Sequence, residues 1–132
     1  MRLWFSLQVL GLDKIAGMVT RGFALADLAE RELRKLPDWV MLAPTSTPIL
    51  NFGFAPDGMS ENGVDRIDSH ISKQLAIENV VCILTTQLRK VIGFWVRTIN
   101  PRTTDYDIPR VARALDRSAR SIYEGLRQNC AN

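Results

Sequence analysis

VVCILTTQLRKVIGFWVRTI, residues 80–99, decides how this chain folds. Its two halves, near 80–86 and 91–98, are rich in Val, Ile, Thr, Phe and Trp, which suit a pleated surface, and they meet at a tight connection around Leu88-Arg89. The spacing predicts an antiparallel β-hairpin. Two further strand segments lie upstream. In PILNFGF, residues 48–54, Leu50, Phe52 and Phe54 alternate with Asn51 and Gly53, and DWVMLAP adds a short run over 38–43, with Pro44 and Pro48 between the two.

Helical periodicity surrounds these strands. Asp13 is placed to cap a helix over 13–36 that Pro37 stops, and Ile15, Val19, Phe23, Ala26, Ala29, Leu33 and Leu36 recur at helical spacing. After the turn-rich APDGMSENG, Asn62 can cap a helix over 62–76 with Val64, Ile67, Ile71 and Leu75 on one stripe and Asp65, Asp68 and Lys73 outside it. A last helix over 106–127 carries Ile108, Val111, Ala112, Leu115, Ala119, Ile122, Tyr123 and Leu126 at the same spacing, and Pro109 confines its start to near Asp105–Asp107. Residues 2–10 read as a short helix that is apolar nearly all round, broken by Gly11-Leu12. Such a helix needs a cover, so a partner surface is expected outside this chain. The order α-α-β-β-α-β-β-α predicts an α+β domain with helices on one face of the sheet, burying Ile15, Val19, Phe23, Ile67, Ile71, Leu115, Ala119 and Ile122.

At 132 residues the chain has room for one domain, and 46% hydrophobic against 23% charged residues is an ordinary globular composition. Net charge is +3, with seven basic and eight acidic residues in 1–66 and ten and six in 67–132. Arg110, Arg113, Arg117 and Arg120 are interrupted by Asp107 and Asp116, which is the pattern of a solvated helix face and not of a nucleic-acid footprint. Cys82 sits in an apolar run and Cys130 is third from the end, so reduced thiols and a cytoplasmic location are expected. The apolar start lacks a nearby cleavage signal, and Gln8, Asp13 and Lys14 end it too early for a membrane span, so neither a secretory leader nor a membrane association is expected.

Motifs for chemistry are scarce. Gly53, Gly58 and Gly63 form no phosphate loop, and His70, the one histidine, has no second ligand nearby for a metal. Ser69 and Ser72 are its sequence neighbours, but neighbouring residues on a helix point apart, so no Ser-His-Asp triad is expected. Asp105 and Asp107 suit a helix start better than an acid/base pair. The residues alone stop at a globular α+β domain.

A family resemblance goes further. RLWFSLQVLGLDKIAGMVTRGFALADLAERELRKLPDW, residues 2–39, resembles the segment of group II pyridoxal-phosphate-dependent amino-acid decarboxylases that leads into their small C-terminal domain. TTQLRK at 85–90 and NPRTTDYDI at 100–108 are similar to that family's last hairpin and the entry to its final helix. The ordered set Leu3-Trp4, Gly11, Pro37, Thr85-Thr86, Asn100-Pro101 and Thr103-Thr104 with Asp107 carries the resemblance, which covers about residues 2–127.

The resemblance implies the small C-terminal domain of a fold-type I pyridoxal phosphate (PLP) enzyme: a four-stranded, mainly antiparallel sheet with helices on one face. Residues 1–12 would be a linker helix to a large domain, and 13–132 the small domain. It implies a homodimeric carboxy-lyase acting on an amino acid with PLP as cofactor. In that family the Schiff-base lysine directly follows a histidine in the large domain, whereas here His70 is followed by Ile71, and Lys14, Lys35, Lys73 and Lys90 match no such motif. No catalytic, cofactor-binding or metal residue is therefore assigned, and the chain alone is expected to be inactive. Where the family commonly carries an arginine in its last strand near the substrate, this chain has Gly93 or Trp95, which become substrate-adjacent candidates; Arg97 is displaced too far to substitute, and Trp95 as filler on a sheet face is the structural alternative. An aminotransferase small domain shares the architecture but fits the leucine-tryptophan helix and the Thr-Thr hairpin less well. The alternative from another class is a free-standing α+β interaction or ligand-binding module without catalytic activity.

Overall fold

The computed structural model describes residues 2–77, 83–88, 91–100 and 102–130. The elements run α1 (Arg2–Leu10), α2 (Leu12–Arg34), β1 (Trp39–Met41), β2 (Ile49–Phe54), α3 (Glu61–Ile77), β3 (Leu84–Leu88), β4 (Val91–Arg97) and α4 (Asp107–Cys130). The strands form one antiparallel sheet in the order β1-β2-β4-β3. The hairpin that anchors it pairs Leu88 with Val91 and Leu84 with Trp95, so its register agrees with the connection expected at Leu88-Arg89. The part of the third strand expected over 80–82, with Cys82, lies outside the described residues, as do Lys90 and Pro101.

Strand alternation sorts the sheet into two unlike faces. Trp39, Leu50, Phe52, Phe54 and Phe94 are buried in a core with Ala26 and Leu33 of α2, Ile67 and Ile71 of α3, and Ala112, Leu115 and Ala119 of α4. The aromatic rings nest at centroid distances of 5.2 Å (Trp39–Phe54), 5.5 Å (Phe52–Phe94) and 5.8 Å (Trp39–Phe52), a spacing that adds to the burial of their area. α2, α3 and α4 thus lie on one face, and α3 and α4 present the stripes read from their spacing. The side chain of Leu75 lies outside the described residues.

α2 departs from expectation. Val19 and Phe23 are 39% and 40% exposed and Ile15 is half-buried, while Gly22, Leu25, Ala26 and Leu33 are covered instead. A 23-residue helix is about 35 Å long, and its N-terminal half carries two adjacent apolar stripes. The stripe through Gly22 and Leu25 is the one that meets the chain leaving β4. Its N-terminus differs too: Gly11, at φ 77, occupies the cap position, and no side chain, Asp13 included, bonds there. Glycine adopts that left-handed conformation without a Cβ penalty, which lets α1 break cleanly into α2. At α3 it is Ser60, ahead of Asn62, that accepts the Gly63 N–H, at 3.3 Å.

α4 is tied to the start of the sheet by a side chain that the charge pattern placed in solvent. Arg120 donates to Asp116 (3.0 Å), to Asp38 (3.3 Å) and to the Pro37 carbonyl (3.2 Å), and Asp116 also accepts the Trp39 indole N–H (2.9 Å). The two acids hold the Arg120 pKa above its usual value, the Asp116 hydrogen bond contributing most. Asp38 itself sits at φ 71, a conformation aspartate tolerates better than most residues.

Candidate functional site

The face of the sheet away from the helices carries the predicted substrate-adjacent residues. In an antiparallel sheet, alternate side chains of paired strands share a face. Asn51 pairs with Trp95, Leu84 with Trp95 and Thr86 with Gly93, so these residues lie together opposite the Phe52–Phe94 core. Trp95 is half-buried, with the Arg97 guanidinium 5.1 Å from its ring centroid, a cation–π distance. Leu84 and Val40 are exposed.

Gly93 is brought beside Trp95 but is not open to a ligand. A Cβ built there would collide with Leu42 Cδ1 and lie 2.8 Å from the Phe52 carbonyl oxygen. Leu42 is held over the strand by its own N–H, which donates to the Asn51 carbonyl at 2.8 Å. Only glycine allows this approach, so Gly93 is required by the sheet. The face offers an aromatic ring, a carboxamide, the Thr86 hydroxyl and a cation. It can pack against a protein surface or meet an anion, but it supplies no general base, and without one the Thr86 hydroxyl is not an activated nucleophile.

Two carboxylates of α3 enter the sheet where β2 and β4 part. Regular pairing stops at Phe52–Phe94, and beyond it the Phe54 N–H donates to Asp68 Oδ1 (3.1 Å) while the Ile92 N–H donates to Asp65 Oδ1 (2.9 Å). Each aspartate supplies the acceptor that the missing ladder would have given, since a buried N–H is costly to leave unpaired. This corrects the sequence reading, which set both residues outside the apolar stripe: Asp68 is 0% exposed and Asp65 half-buried. A signal was present, because Asp68 stands three residues before Ile71 and four after Val64, within the stripe itself. Burial pushes the Asp68 carboxyl up to about 8, the neighbouring Asp65 charge adds to this, and the Phe54 N–H works against it. Its Oδ2 atom is buried and has no hydrogen-bond partner.

The remaining candidates are peripheral. His70 is exposed, and its Nδ1 bonds to the Arg66 carbonyl at 2.8 Å. Among the described residues no three His, Cys, Asp or Glu side chains gather as metal ligands, and no helix is long and apolar enough to cross a membrane. PLP requires a lysine held in a pocket facing the ring and a group that pairs with the pyridine nitrogen. Lys14, Lys35 and Lys73 are all exposed, and Lys35 is paired with Glu32 at 2.5 Å. Among the described residues, none fits that cofactor.

No family model matches the chain. A curated relative, the aromatic-L-amino-acid decarboxylase of Bacillus atrophaeus, is 24% identical over 123 residues, covering 92% of this chain and 26% of that protein. Similar solved structures include Catharanthus roseus tryptophan decarboxylase in complex with L-tryptophan, with a TM-score of 0.76 and 16% identity over 91% of this chain and 25% of that one. The structure of Oryza sativa TDC with PLP and tryptamine gives 0.80 and 11% over 91% and 25%. The glutamate decarboxylase domain of a Vibrio parahaemolyticus diaminobutyrate-pyruvate transaminase and L-2,4-diaminobutyrate decarboxylase gives 0.76 and 14% over 90% and 25%. The chain spans about a quarter of the length of these relatives. Its fold is that of the C-terminal domain of fold-type I PLP decarboxylases, and its resemblance to the group II decarboxylases is to their C-terminal portion.

Proposed function

We propose that this chain, similar to the C-terminal quarter of PLP-dependent amino-acid decarboxylases, serves as the small domain of such a carboxy-lyase and covers the cleft of a large domain carried on other sequence. One observation carries this reading: the sheet is covered by helices on one face only, and the other face leaves Leu84 exposed beside Trp95 and Val40 exposed on the outer strand β1. An uncovered sheet face with aromatic and aliphatic residues is a surface for another protein layer. The same reading accounts for residues 1–12 as a linker helix, because Trp4, Val9 and Leu12 are 64%, 70% and 72% exposed. In this role Trp95 would stand nearest the substrate, flanked by Arg97 and Asn51, with Gly93 shaping the strand beneath Leu42.

When bound by an enzyme of this kind, PLP acts as the electron sink for decarboxylation. This chain contributes a wall and a cation and holds no proton at a reacting atom. It is inactive by itself, works in a homodimer on an amino-acid substrate, and resides in the cytoplasm with its two cysteines reduced. Co-expression with the Bacillus atrophaeus relative truncated before its last quarter tests the reading. Co-purification and restored release of carbon dioxide from an aromatic amino acid are expected. Failure of the two pieces to associate, or release of carbon dioxide by this chain alone with PLP, refutes it.

A further inference from the structure

We propose that a cavity between α2, the helix-covered face of the sheet and the first turns of α4 binds a small aromatic carboxylate, a single ring on a short acidic chain. The cavity holds about 230 Å³. Leu33, Leu50, Phe52, Ala112 and Leu115 form its inner walls, all buried, and its mouth is bordered by Thr98, Asn100, Arg102, Thr103 and Asp107. A cavity of about 150 Å³ lined by Leu, Ile and Phe stays dry and takes up benzene, so this one has room for a ring and part of a chain. The inner walls offer water none of the two to four polar partners it needs, and the Thr98 hydroxyl at their edge is already engaged, donating to the Gly22 carbonyl at 2.7 Å.

The mouth selects an anion. Asp107 is the acid there, and its Oδ2 already accepts the Thr104 N–H (2.8 Å) and hydroxyl (2.7 Å), with Arg110 3.9 Å from its other oxygen. Arg97 also borders the pocket, but its guanidinium is drawn over the Trp95 ring, 5.1 Å from its centroid. Arg102, by contrast, is exposed at the mouth and forms no ion pair among the described residues. Asn100 beside it uses its side-chain oxygen to accept the Arg102 N–H at 3.0 Å, leaving its amide N–H groups to donate. A guanidinium and a carboxamide above an apolar chamber match a carboxylate tethered to a ring. The chamber lies across the sheet from Trp95, so this inference is independent of the proposed function.

Ligand-detected NMR and calorimetry on the 132-residue chain test it with phenylpropionate, phenylpropionamide and acetate as probes. Saturable one-site binding of phenylpropionate is expected, with the amide weaker by about five- to tenfold and acetate unbound. Ala112→Leu fills the chamber and should abolish binding of both ring compounds while the chain stays folded. Ala29→Leu does the same from the opposite wall. Arg102→Gln, at an exposed position, should reduce phenylpropionate to the level of the amide and leave the amide unchanged. Absence of saturable binding to the folded chain would mean a solvent-filled cleft without a ligand and overturns the proposal. Undiminished binding in a folded filling variant, or an unchanged preference for the carboxylate in Arg102→Gln, overturns it as well.

Discussion

Replacing Asp68 by Asn should make this domain more stable at neutral pH and remove most of the dependence of its stability on pH between 5 and 8. Asp68 is fully buried, accepts one backbone N–H, and has its carboxyl pushed from the ordinary 3.8 up to about 8, burial being the main cause and the Asp65 charge the lesser one. Because the folded-state value lies above the unfolded one, the folded chain keeps a proton that the unfolded chain releases. The stability associated with the neutral carboxyl is complete below pH 4, falls as pH rises, and is gone above about pH 8. At about 1.4 kcal/mol per unit, the loss by pH 8 is of order 5 kcal/mol, and by pH 7 about 4 kcal/mol. Domains of this size are stable by only about 5–15 kcal/mol, so the effect should dominate the profile. Asn needs no proton and can still accept the Phe54 N–H. Urea unfolding at half-unit steps from pH 4.5 to 8.5, followed by the fluorescence of the buried Trp39, should show the wild type weakening with pH and Asp68→Asn nearly flat. At pH 7 the variant should be about 2–4 kcal/mol more stable, the lower end allowing for the cost of burying an amide. A wild-type profile that is flat or rises over this range, or one that Asp68→Asn leaves unchanged, would show that Asp68 is not held neutral and would refute the reasoning.

Gly93→Ala should cost about 1–3 kcal/mol through overpacking against Leu42 and the Phe52 carbonyl, and Leu42→Ala in the same chain should recover only part of it because the carbonyl contact remains; urea midpoints of the single and double variants decide this. Asp116→Ala should cost about 1–3 kcal/mol, since it strips the partner from the buried Trp39 N–H and one partner from Arg120, and a change under half a kcal/mol in chemical denaturation would contradict that. Replacing Trp4 and Leu7 by polar residues should raise solubility and reduce self-association in sedimentation while changing folding stability little. If those changes unfold the domain, α1 packs on its own sheet and is not a surface awaiting a partner.

The fold and its resemblance were legible to different depths. Period-two alternation in 48–54, the β-favouring residues of 80–86 and 91–98 and the tight connection expected around Leu88-Arg89 are local properties, and they sufficed for the hairpin. The stripes of α3 and α4 were likewise readable because each has one apolar face and no competitor. The missing histidine-lysine pair was also visible at once, since the identity of residues needs no coordinates. α2 was harder, because Ile15, Val19 and Phe23 keep helical spacing as well as Met18, Gly22 and Leu25 do. Spacing says which residues share a face and not which face will be covered.

The tertiary structure decided everything that depends on partners far along the chain. Asp68 turns from a surface acid into a buried one because β2 and β4 separate beside it and expose the Phe54 and Ile92 N–H groups to α3. Gly93 is fixed by a side chain 51 positions earlier, and Arg120 leaves the solvated face because Asp38, 82 positions away, stands within 3.3 Å. The chamber ending at Arg102 is likewise made by α2, the sheet and α4 together, and no one of these segments encodes it. Local sequence fixes dihedral preference and facing, whose energies act within a turn or a strand pair. Cover, desolvation and charge partnership are set by what the folded chain places opposite, and that is a property of the assembled layers.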